Sequence, residues 1–299
     1  MKMNKIALLL IICFISTISF AQDEANKKEE GWKKGGLVTL NFTQVTLHNW
    51  AAGGENSLSG VGFVNLFANY KKNRMTWDNT IDLGYGLLKQ GEGDIMKSDD
   101  KIEISSKYGQ YAFEHWYYSG LVSFKSQFAT GYQKPGDANK ISDFMAPGYL
   151  NIAIGMDYKP NDNLTVLISP LTGKTTFLSS PYLSSIGAYG VEPGKNIRFE
   201  FGAYIKAAYK VDIMKNIGFQ TKIDLFTNYL NKPGNIDVNW ESLLSLKVND
   251  YISASVFFML IYDDDIRIPI DKDGDGIADY NGPRTQLKEM FGLGLSYKF

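Results

Sequence analysis

The densest group of potential metal ligands in the sequence is an aspartate-rich segment, DKDGDGIAD, at residues 271–279. Side-chain oxygens at alternate positions, with a glycine for the tight bend, suit a hard cation such as Ca²⁺. A solvated acidic turn has the same composition, so both interpretations stay open. A calcium ion bound here would be structural, because it would make the long loop 263–284 rigid rather than carry out chemistry.

The same segment resembles the aspartate-rich calcium loops of EF-hand-like and thrombospondin type 3 repeats. The resemblance implies four side-chain ligands and one backbone carbonyl ligand: Asp271, Asp273, Asp275, Asp279 and, through its carbonyl, Ile277. The segment departs from an EF-hand at the twelfth position, where Gly282 stands in place of a bidentate glutamate. Carboxylates at 263–265 are an alternative source of ligands.

Catalysis by a hydroxyl nucleophile needs a histidine base and an orienting carboxylate or amide. Of the two histidines, His115 falls in a short turn, whereas His48 lies beside Asn49 and near Ser57. A lipid or peptide hydrolase that uses His48 is therefore the alternative to a non-enzymatic role. Outer-membrane phospholipases have a histidine and a serine two residues apart on one strand, but here that position is Trp50. We expect no enzymatic activity and no catalytic residue.

The N-terminal segment predicts export. A basic start precedes an apolar run at 6–20, and Ala21 completes a small-residue site of the kind that signal peptidase reads. We expect residues 1–21 to be a signal peptide. Residues 22–34 are charged and without periodicity, which predicts a flexible periplasmic leader.

The overall charge excludes one class of partner. The chain has 31 Lys and Arg residues against 32 Asp and Glu residues, a formal net charge of -1. Nucleic-acid binding needs a strongly basic face, so no nucleic-acid partner is expected. Beyond the N-terminal segment no apolar run reaches the roughly 20 residues that a spanning helix requires.

The dominant period from residue 35 onward is two. In 197–211, for example, an apolar face of Ile, Phe, Ala, Tyr and Val alternates with a face that carries Arg198, Glu200, Lys206 and Lys210. Twelve such segments are predicted as strands: 36–47, 57–70, 75–88, 101–113, 116–130, 148–158, 163–171, 197–211, 216–230, 238–248, 251–262 and 285–299. Short and long connections alternate between them.

These strands are too long for an ordinary soluble sandwich and suit a membrane wall. Strands of 12–15 residues exceed the roughly 9–11 that cross a bilayer, whereas sandwich strands typically have about 5–6. Only a closed barrel pairs every strand backbone group in lipid. The class predicted for residues 35–299 is therefore all-β: a transmembrane up-and-down antiparallel β-barrel of about 12 strands in the outer membrane, with its lipids as partners.

Aromatic residues form two groups that support this interpretation. The short-turn group is Tyr70, Trp77, Trp116, Tyr118, Tyr158, Tyr209, Tyr297 and Phe299. The long-loop group is Tyr85, Phe128, Tyr149, Tyr229, Trp240 and Tyr262.

The end of the sequence, Tyr297-Lys298-Phe299, resembles the terminal strand of Gram-negative outer-membrane proteins. The resemblance implies recognition by the barrel assembly machinery through Phe299. The stretch NWAAGGENS at 49–57, with the hairpins that follow, resembles a family of uncharacterised secreted barrels of unknown function. That resemblance implies fold and location and brings no assigned activity.

Charges of both signs are predicted on the inward face. They are Asp78, Asp82, Glu103, Lys107, Lys125, Asp157, Arg198, Glu200, Lys206, Lys210, Lys222, Asp224, Glu241, Lys247, Lys288 and Lys298. A selective pore would concentrate one sign at its constriction, so the mixture favours ion pairs within the lumen. We expect a narrow channel for small polar solutes or an envelope scaffold, either of which is compatible with a surface or periplasmic protein partner.

Overall fold

The computed structural model describes residues 30–48, 55–133, 136–270, 272–273 and 279–299. The predicted signal peptide, 1–21, and residues 22–29 of the predicted leader lie outside the described residues. No helix in the described ranges is both long enough and apolar enough to cross a membrane.

The described part of the chain contains sixteen strands and one short α-helix. The strands are β1 Gly31–Val45, β2 Ser57–Lys72, β3 Met75–Gln90, β4 Met96–Phe113, β5 Trp116–Ser126, β6 Gly131–Tyr132, β7 Lys140–Ser142, β8 Gly148–Tyr158, β9 Leu164–Phe177, β10 Ile197–Met214, β11 Ile217–Asn228, β12 Asp237–Lys247, β13 Ile252–Tyr262, β14 Ile268–Ile270, β15 Tyr280–Gly282 and β16 Gln286–Lys298. The helix, α1, is Pro181–Ser185 and lies between β9 and β10.

Twelve of the described strands form a closed antiparallel barrel in the ring order β1-β16-β13-β12-β11-β10-β9-β8-β5-β4-β3-β2. The ring closes between β1 and β16, which pair at six positions from Leu37 to Phe42. Beyond those positions, Gly36 and Phe299 exchange two backbone hydrogen bonds of 2.9 and 3.1 Å. The predicted class, an up-and-down barrel of about 12 strands, is confirmed. The two remaining strand pairs, β6–β7 and β14–β15, are small hairpins in long loops.

The first strand begins earlier than the sequence indicates. Residues 31–34, predicted to belong to the leader, pair with β2 and form part of the wall. The indole of Trp32 packs against Tyr70 at 5.2 Å and Trp77 at 5.7 Å between ring centroids. This aromatic cluster anchors the start of β1 to the wall. The sequence does not reveal it, because most residues next to Trp32 are charged.

Strand β9 extends past Pro170 to Phe177, six residues beyond its predicted end. A proline lacks an N–H and interrupts a regular ladder, but here the registers with both neighbouring strands shift by one residue at this point. Ser169 stabilises the bulge, because its hydroxyl contacts the carbonyls of Ile154 at 2.8 Å and Leu171 at 3.0 Å. Gly155 faces the bulge so closely that a Cβ there would lie 2.1 Å from the carbonyl oxygen of Ile168.

The outer face of the wall is apolar and exposed, as expected of a surface in contact with lipid. Phe199 and Phe291, for example, are 61% and 76% exposed. Exposed aromatic side chains lie towards both ends of the wall: Trp32, Trp77, Tyr118 and Tyr297 at the short turns, and Tyr85, Phe128, Tyr229 and Trp240 at the long loops. In an outer-membrane barrel the short turns are periplasmic and the long loops extracellular.

Tyr149 does not belong to the outer aromatic group in which the sequence placed it. It pairs with Lys125 in the ladder between β5 and β8, and therefore shares the inward face with that lysine.

Candidate functional site: the charged lumen

The middle of the lumen is filled by a central charge layer of four lysines and four carboxylates. Strand alternation turns all of them inward from β3, β4, β5, β10, β11 and β12. The members are Asp82, Lys101, Glu103, Lys125, Lys206, Lys222, Asp224 and Glu241. The charges in this layer balance.

Ion pairs of the central charge layer cross the whole width of the barrel. Lys101 on β4 lies 2.9 Å from Glu241 on β12, and these strands are six places apart in the ring in either direction. Lys222 on β11 lies 3.4 Å from Asp82 on β3, another diametrically opposed pair of strands. Side chains from opposite walls therefore meet at the centre of the lumen.

Glu103 is the hub of the central charge layer. Its carboxylate is 2% exposed and lies 2.8 Å from Lys222, 3.1 Å from Lys101, 3.6 Å from Lys125 and 3.7 Å from Lys206. A buried carboxylate is strongly destabilising unless it is paired, and four ammonium groups provide that pairing here.

Asp224 forms a second focus of the same layer. Lys125 lies 2.9 Å and Lys206 3.2 Å from its carboxylate, while the hydroxyl of Tyr204 donates a hydrogen bond of 2.6 Å. Tyr204 also belongs to a buried apolar cluster that lines one side of the lumen, with Leu121, Ala153, Leu167 and Phe226. Charged and apolar side chains therefore fill the lumen together.

Ion pairs continue above and below the central layer. Towards the loops, Lys174 contacts Asp237 at 2.8 Å and Lys288 contacts Asp99 at 2.8 Å. Towards the short turns, Lys107 contacts Asp157 at 2.6 Å, and Lys159 contacts Asp78 at 2.5 Å. The expectation that mixed charges form ion pairs across the lumen agrees with this geometry.

At the long-loop end, the described residues of 127–147 (127–133 and 136–147) and residues 178–196 pack together as an extracellular cap. Its buried apolar residues are Ala146, Leu178, Leu183 and Val191. The side chain of Ser180 caps α1 by accepting a hydrogen bond from the amide of Leu183. Tyr189 donates a 2.7 Å hydrogen bond to the carbonyl of Ile141, and burial raises the pKa of Tyr189 to about 12.

The predicted calcium ligands fall largely outside the described residues. Asp271, Asp275 and Ile277 are among the residues not described, while Asp273 and Asp279 are described. The carboxylate of Asp279 accepts a 2.8 Å hydrogen bond from the amide of Lys272. Within the described ranges no cluster of three or more His, Cys, Asp or Glu residues is arranged to hold a metal ion. Calcium binding stays a prediction.

The alternative calcium ligands at 263–265 are engaged with cations of the upper lumen and loops. Asp263 lies 3.6 Å from Lys174, and Asp264 lies 3.0 Å from Lys232. Asp265 pairs with Arg198. These carboxylates therefore already help to tie the loop 263–284 to the wall.

The two histidines lie at opposite ends of the barrel. His48 is exposed just after β1, while Asn49 and Trp50 lie outside the described residues. Among the described residues, no hydrogen bond or ion pair to the His48 side chain is found. His115 occupies the turn between β4 and β5, with its ring edge-on to Tyr158 at 6.3 Å.

The predicted inward charges omit five residues that form ion pairs in the lumen: Asp99, Lys101, Lys159, Lys174 and Asp237. Lys101, Lys159 and Lys174 lie at or beyond the predicted ends of their strands. Alternation is the signal that could have found two of them, because Lys101 is two residues before Glu103 and Lys174 is two residues after Thr172.

An apolar outer face, a charged inner face and a closed ring of strands define an integral outer-membrane β-barrel protein. Residues 42–132 match the family described as Protein of unknown function (DUF3078). Together with the barrel fold, this match confirms the predicted resemblance to an uncharacterised outer-membrane barrel family. None of the curated proteins matches the chain.

Solved structures with a similar fold are distant relatives at most. An outer membrane channel from Pseudomonas putida F1 is 11% identical with a TM-score of 0.40, covering 94% of this chain and 100% of that one. The translocator domain of the autotransporter NalP from Neisseria meningitidis is 10% identical with a TM-score of 0.36, covering 99% and 94%. An active-site mutant of outer membrane phospholipase A from Escherichia coli is 10% identical with a TM-score of 0.35, covering 92% and 94%. What these proteins do says nothing about the role of this chain.

Proposed function

We propose that this protein is a non-enzymatic envelope scaffold, an outer-membrane barrel whose lumen is closed by its own charges. The observation that carries the proposal is the pairing of Lys101 with Glu241 and of Lys222 with Asp82 between opposite walls. An ion in transit would have to separate these pairs, whose side chains are 8–25% exposed. Separated charges in such a place are costly, so the closed arrangement is favoured.

The proposal predicts that the barrel is electrically silent in a planar lipid bilayer. Removing one diametric pair with Lys101→Ala/Glu241→Ala deletes equal and opposite charges and shortens both side chains, so discrete conductance should appear. The matched control, Lys232→Ala/Asp264→Ala, removes an ion pair between two loops and should leave the barrel silent. Discrete, salt-dependent conductance of the unmodified protein would contradict the scaffold.

A narrow path for water or small polar solutes is the second candidate, and one observation favours it. Within the described residues, Ser123 Oγ, Asn151 Oδ1 and Asn239 Oδ1 are buried without a hydrogen-bond partner. Buried polar atoms of this kind are usually satisfied by internal water. Osmotic shrinkage of liposomes that contain the barrel tests this candidate, because water flow without ionic conductance supports it over the scaffold.

The absence of catalysis is part of the proposal. If the rival hydrolase existed, phospholipid or peptide hydrolysis by the purified barrel would disappear in His48→Ala. We expect neither the unmodified barrel nor His48→Ala to hydrolyse phospholipid or peptide. Activity that is lost only in the variant would replace the scaffold with an enzyme.

We also propose that the barrel assembly machinery recognises Phe299. The ring of Phe299 stacks on Tyr297 at 5.9 Å between centroids, on the outward face near the seam of the barrel. Phe299→Ser should reduce the amount of heat-modifiable barrel in the outer membrane, whereas the same substitution at the exposed aromatic Tyr251 should have little effect.

A further inference from the structure

A groove of about 220 Å³ opens on the outer wall where β1, β2 and β3 approach the extracellular end. Its lining is almost wholly apolar and includes Leu40, Gly62, Val64, Leu83, Tyr85 and Phe128. Leu40, Gly62 and Tyr85 occupy one line across the three strands, so they share a face of the sheet. Leu40 and Tyr85 are exposed on this face, which identifies it as the lipid side.

Gly62 makes the groove by omitting a side chain. A Cβ at this position would lie 3.2 Å from Leu40 Cδ2 and 4.0 Å from the carbonyl oxygen of Tyr85. The larger side chains of Leu40 and Tyr85, on either side of Gly62, therefore form the sides of the groove. A methyl or isobutyl group there would fill the groove and would require only the end of a flexible side chain to move.

Phe128 overhangs the groove from the start of the extracellular cap. Its ring meets Tyr85 edge-on at 6.4 Å between centroids. Asp100 pairs with Tyr85 in the ladder and so lies on the same outer face, yet its side chain is 2% exposed. Its carboxylate accepts hydrogen bonds from the amides of Phe128 at 2.6 Å and Ala129 at 2.9 Å.

A buried ion pair keeps this overhang in place. Lys97 lies 2.9 Å from Asp100 and donates a 2.7 Å hydrogen bond to the carbonyl of Ala129. A charged pair buried on the lipid side is destabilising unless its polar atoms form hydrogen bonds. The backbone of Phe128 and Ala129 supplies these hydrogen bonds and covers the pair. Phe128 is thus fixed against the wall rather than free in solution.

The surroundings of the groove favour one occupant. Two residues of the long-loop aromatic group, Tyr85 and Phe128, line it, which places the groove in the outer-leaflet half of the wall. On β3, Lys89 lies four residues beyond Tyr85 on the same face, about 13 Å further towards the extracellular end, and it is exposed. An apolar slot with an ammonium group above it matches an acyl chain joined to a phosphate.

We propose that this groove is a defined binding site for one acyl chain of a phosphate-bearing lipid of the outer leaflet, with Lys89 contacting the phosphate. The site goes beyond the proposed scaffold and does not depend on whether the lumen conducts. Ordered lipid at this place would couple the membrane to the extracellular cap, because Phe128 belongs to both.

Native mass spectrometry of the detergent-solubilised barrel with added phosphatidylglycerol tests the site. The unmodified protein should retain one lipid at low lipid excess. Gly62→Leu should weaken retention about tenfold or more, since filling the groove displaces several methylene groups of the chain. The matched control is Gly120→Leu, which adds the same side chain on the lipid face where nothing lies within 4 Å of the new Cβ.

Further variants separate the two parts of the site. Phe128→Ala should also weaken retention, which keeps the test decisive if Gly62→Leu fails to fold. Lys89→Gln should abolish the preference for phosphatidylglycerol over diacylglycerol. Equal retention by the unmodified protein, Gly62→Leu and Phe128→Ala, or no retention by the unmodified protein, would overturn the proposal.

Discussion

The central charge layer and the extracellular cap are built by opposite means. Eight charged side chains fill the middle of the lumen, whereas the cap is organised around four buried apolar residues. In the wall around the middle, strand alternation turns the apolar face to lipid and brings the charged side chains to the inside. In the cap, by contrast, apolar residues gather inward and are shielded from water as in a soluble protein.

Because of this difference, the two regions should respond to different perturbations. The stability of the charge layer depends on balance, so removing one partner is more harmful than removing a matched pair. The stability of the cap depends on buried apolar volume, and we expect it to open locally without disturbing the ring of strands. Changes in each region should therefore have separable effects.

The largest effect is expected from Glu103→Gln, which leaves four lysines around a neutral amide. The free energy of unfolding in detergent should fall by about 3–5 kcal/mol, as for other broken buried ion pairs. Urea unfolding followed by tryptophan fluorescence measures it. Glu103→Gln/Lys222→Gln should recover part of the loss, and Glu192→Gln in an exposed loop should change nothing. Equal stability of Glu103→Gln and the unmodified protein would refute the balance argument.

Leu183→Ala should loosen the cap by about 2–4 kcal/mol, because the side chain is 1% exposed within the apolar cluster. Protease cleavage within 178–196 should become faster while the melting of the barrel stays unchanged. Ile186→Ala, which alters a 56% exposed side chain in the same loop, is the control. A lower melting temperature of the whole barrel would show that cap and wall are one cooperative unit.

Calcium should affect only the loop 263–284. If the aspartate-rich segment binds the ion, saturation at about 100 times Kd stabilises the bound loop by about 2.7 kcal/mol. Limited proteolysis with Ca²⁺ or with a chelator measures this protection. It should disappear in Asp273→Ala/Asp275→Ala, while the cap stays equally resistant. Identical cleavage with and without Ca²⁺ would leave the solvated acidic turn as the correct interpretation.

The smallest effect concerns pH and the cap. The hydrogen bond from Lys140, at 2.5 Å, lowers the pKa of Asp143 below its ordinary value. A carboxyl group with a depressed pKa stabilises the folded loop above its unfolded pKa of about 3.9, and that contribution is lost as the pH falls further. For this partly exposed pair the loss should be below about 1 kcal/mol.

Proteolysis of 127–147 between pH 7 and pH 3, with an acid-active protease, detects the loss at Asp143. Asp143→Asn should remove the pH dependence, whereas the charge layer should be indifferent to this substitution. An unchanged pH profile in Asp143→Asn would show that another group is responsible.

Much of the wall could be predicted from the sequence because a two-residue period is a local property. The alternation around Glu200 and Lys206 reports directly which side chains face inward. The predicted strand ends were less accurate where an irregularity such as a bulge lets the ladder continue. The predicted end of β9 is residue 171, but a bulge bonded by Ser169 lets the strand continue beyond Pro170 to Phe177.

The contacts across the lumen could not be predicted in the same way. Lys101 and Glu241 are far apart in the chain, and their meeting depends on the ring order and on the register of every strand between them. The cap could not be predicted either, because Leu178, Leu183 and Val191 follow no strand period. Three of the predicted calcium ligands, Asp271, Asp275 and Ile277, lie outside the described residues.

The seam between β1 and β16 has a consequence for biogenesis. The first and last strands of the wall meet there over six paired positions, whereas β1 and β2 share fifteen. Until β16 arrives, one edge of β1 has bare amides and carbonyls that lipid cannot accept. The polypeptide therefore cannot enter the bilayer one hairpin at a time as it emerges, and its earliest strand has to be sheltered until its latest one is ready.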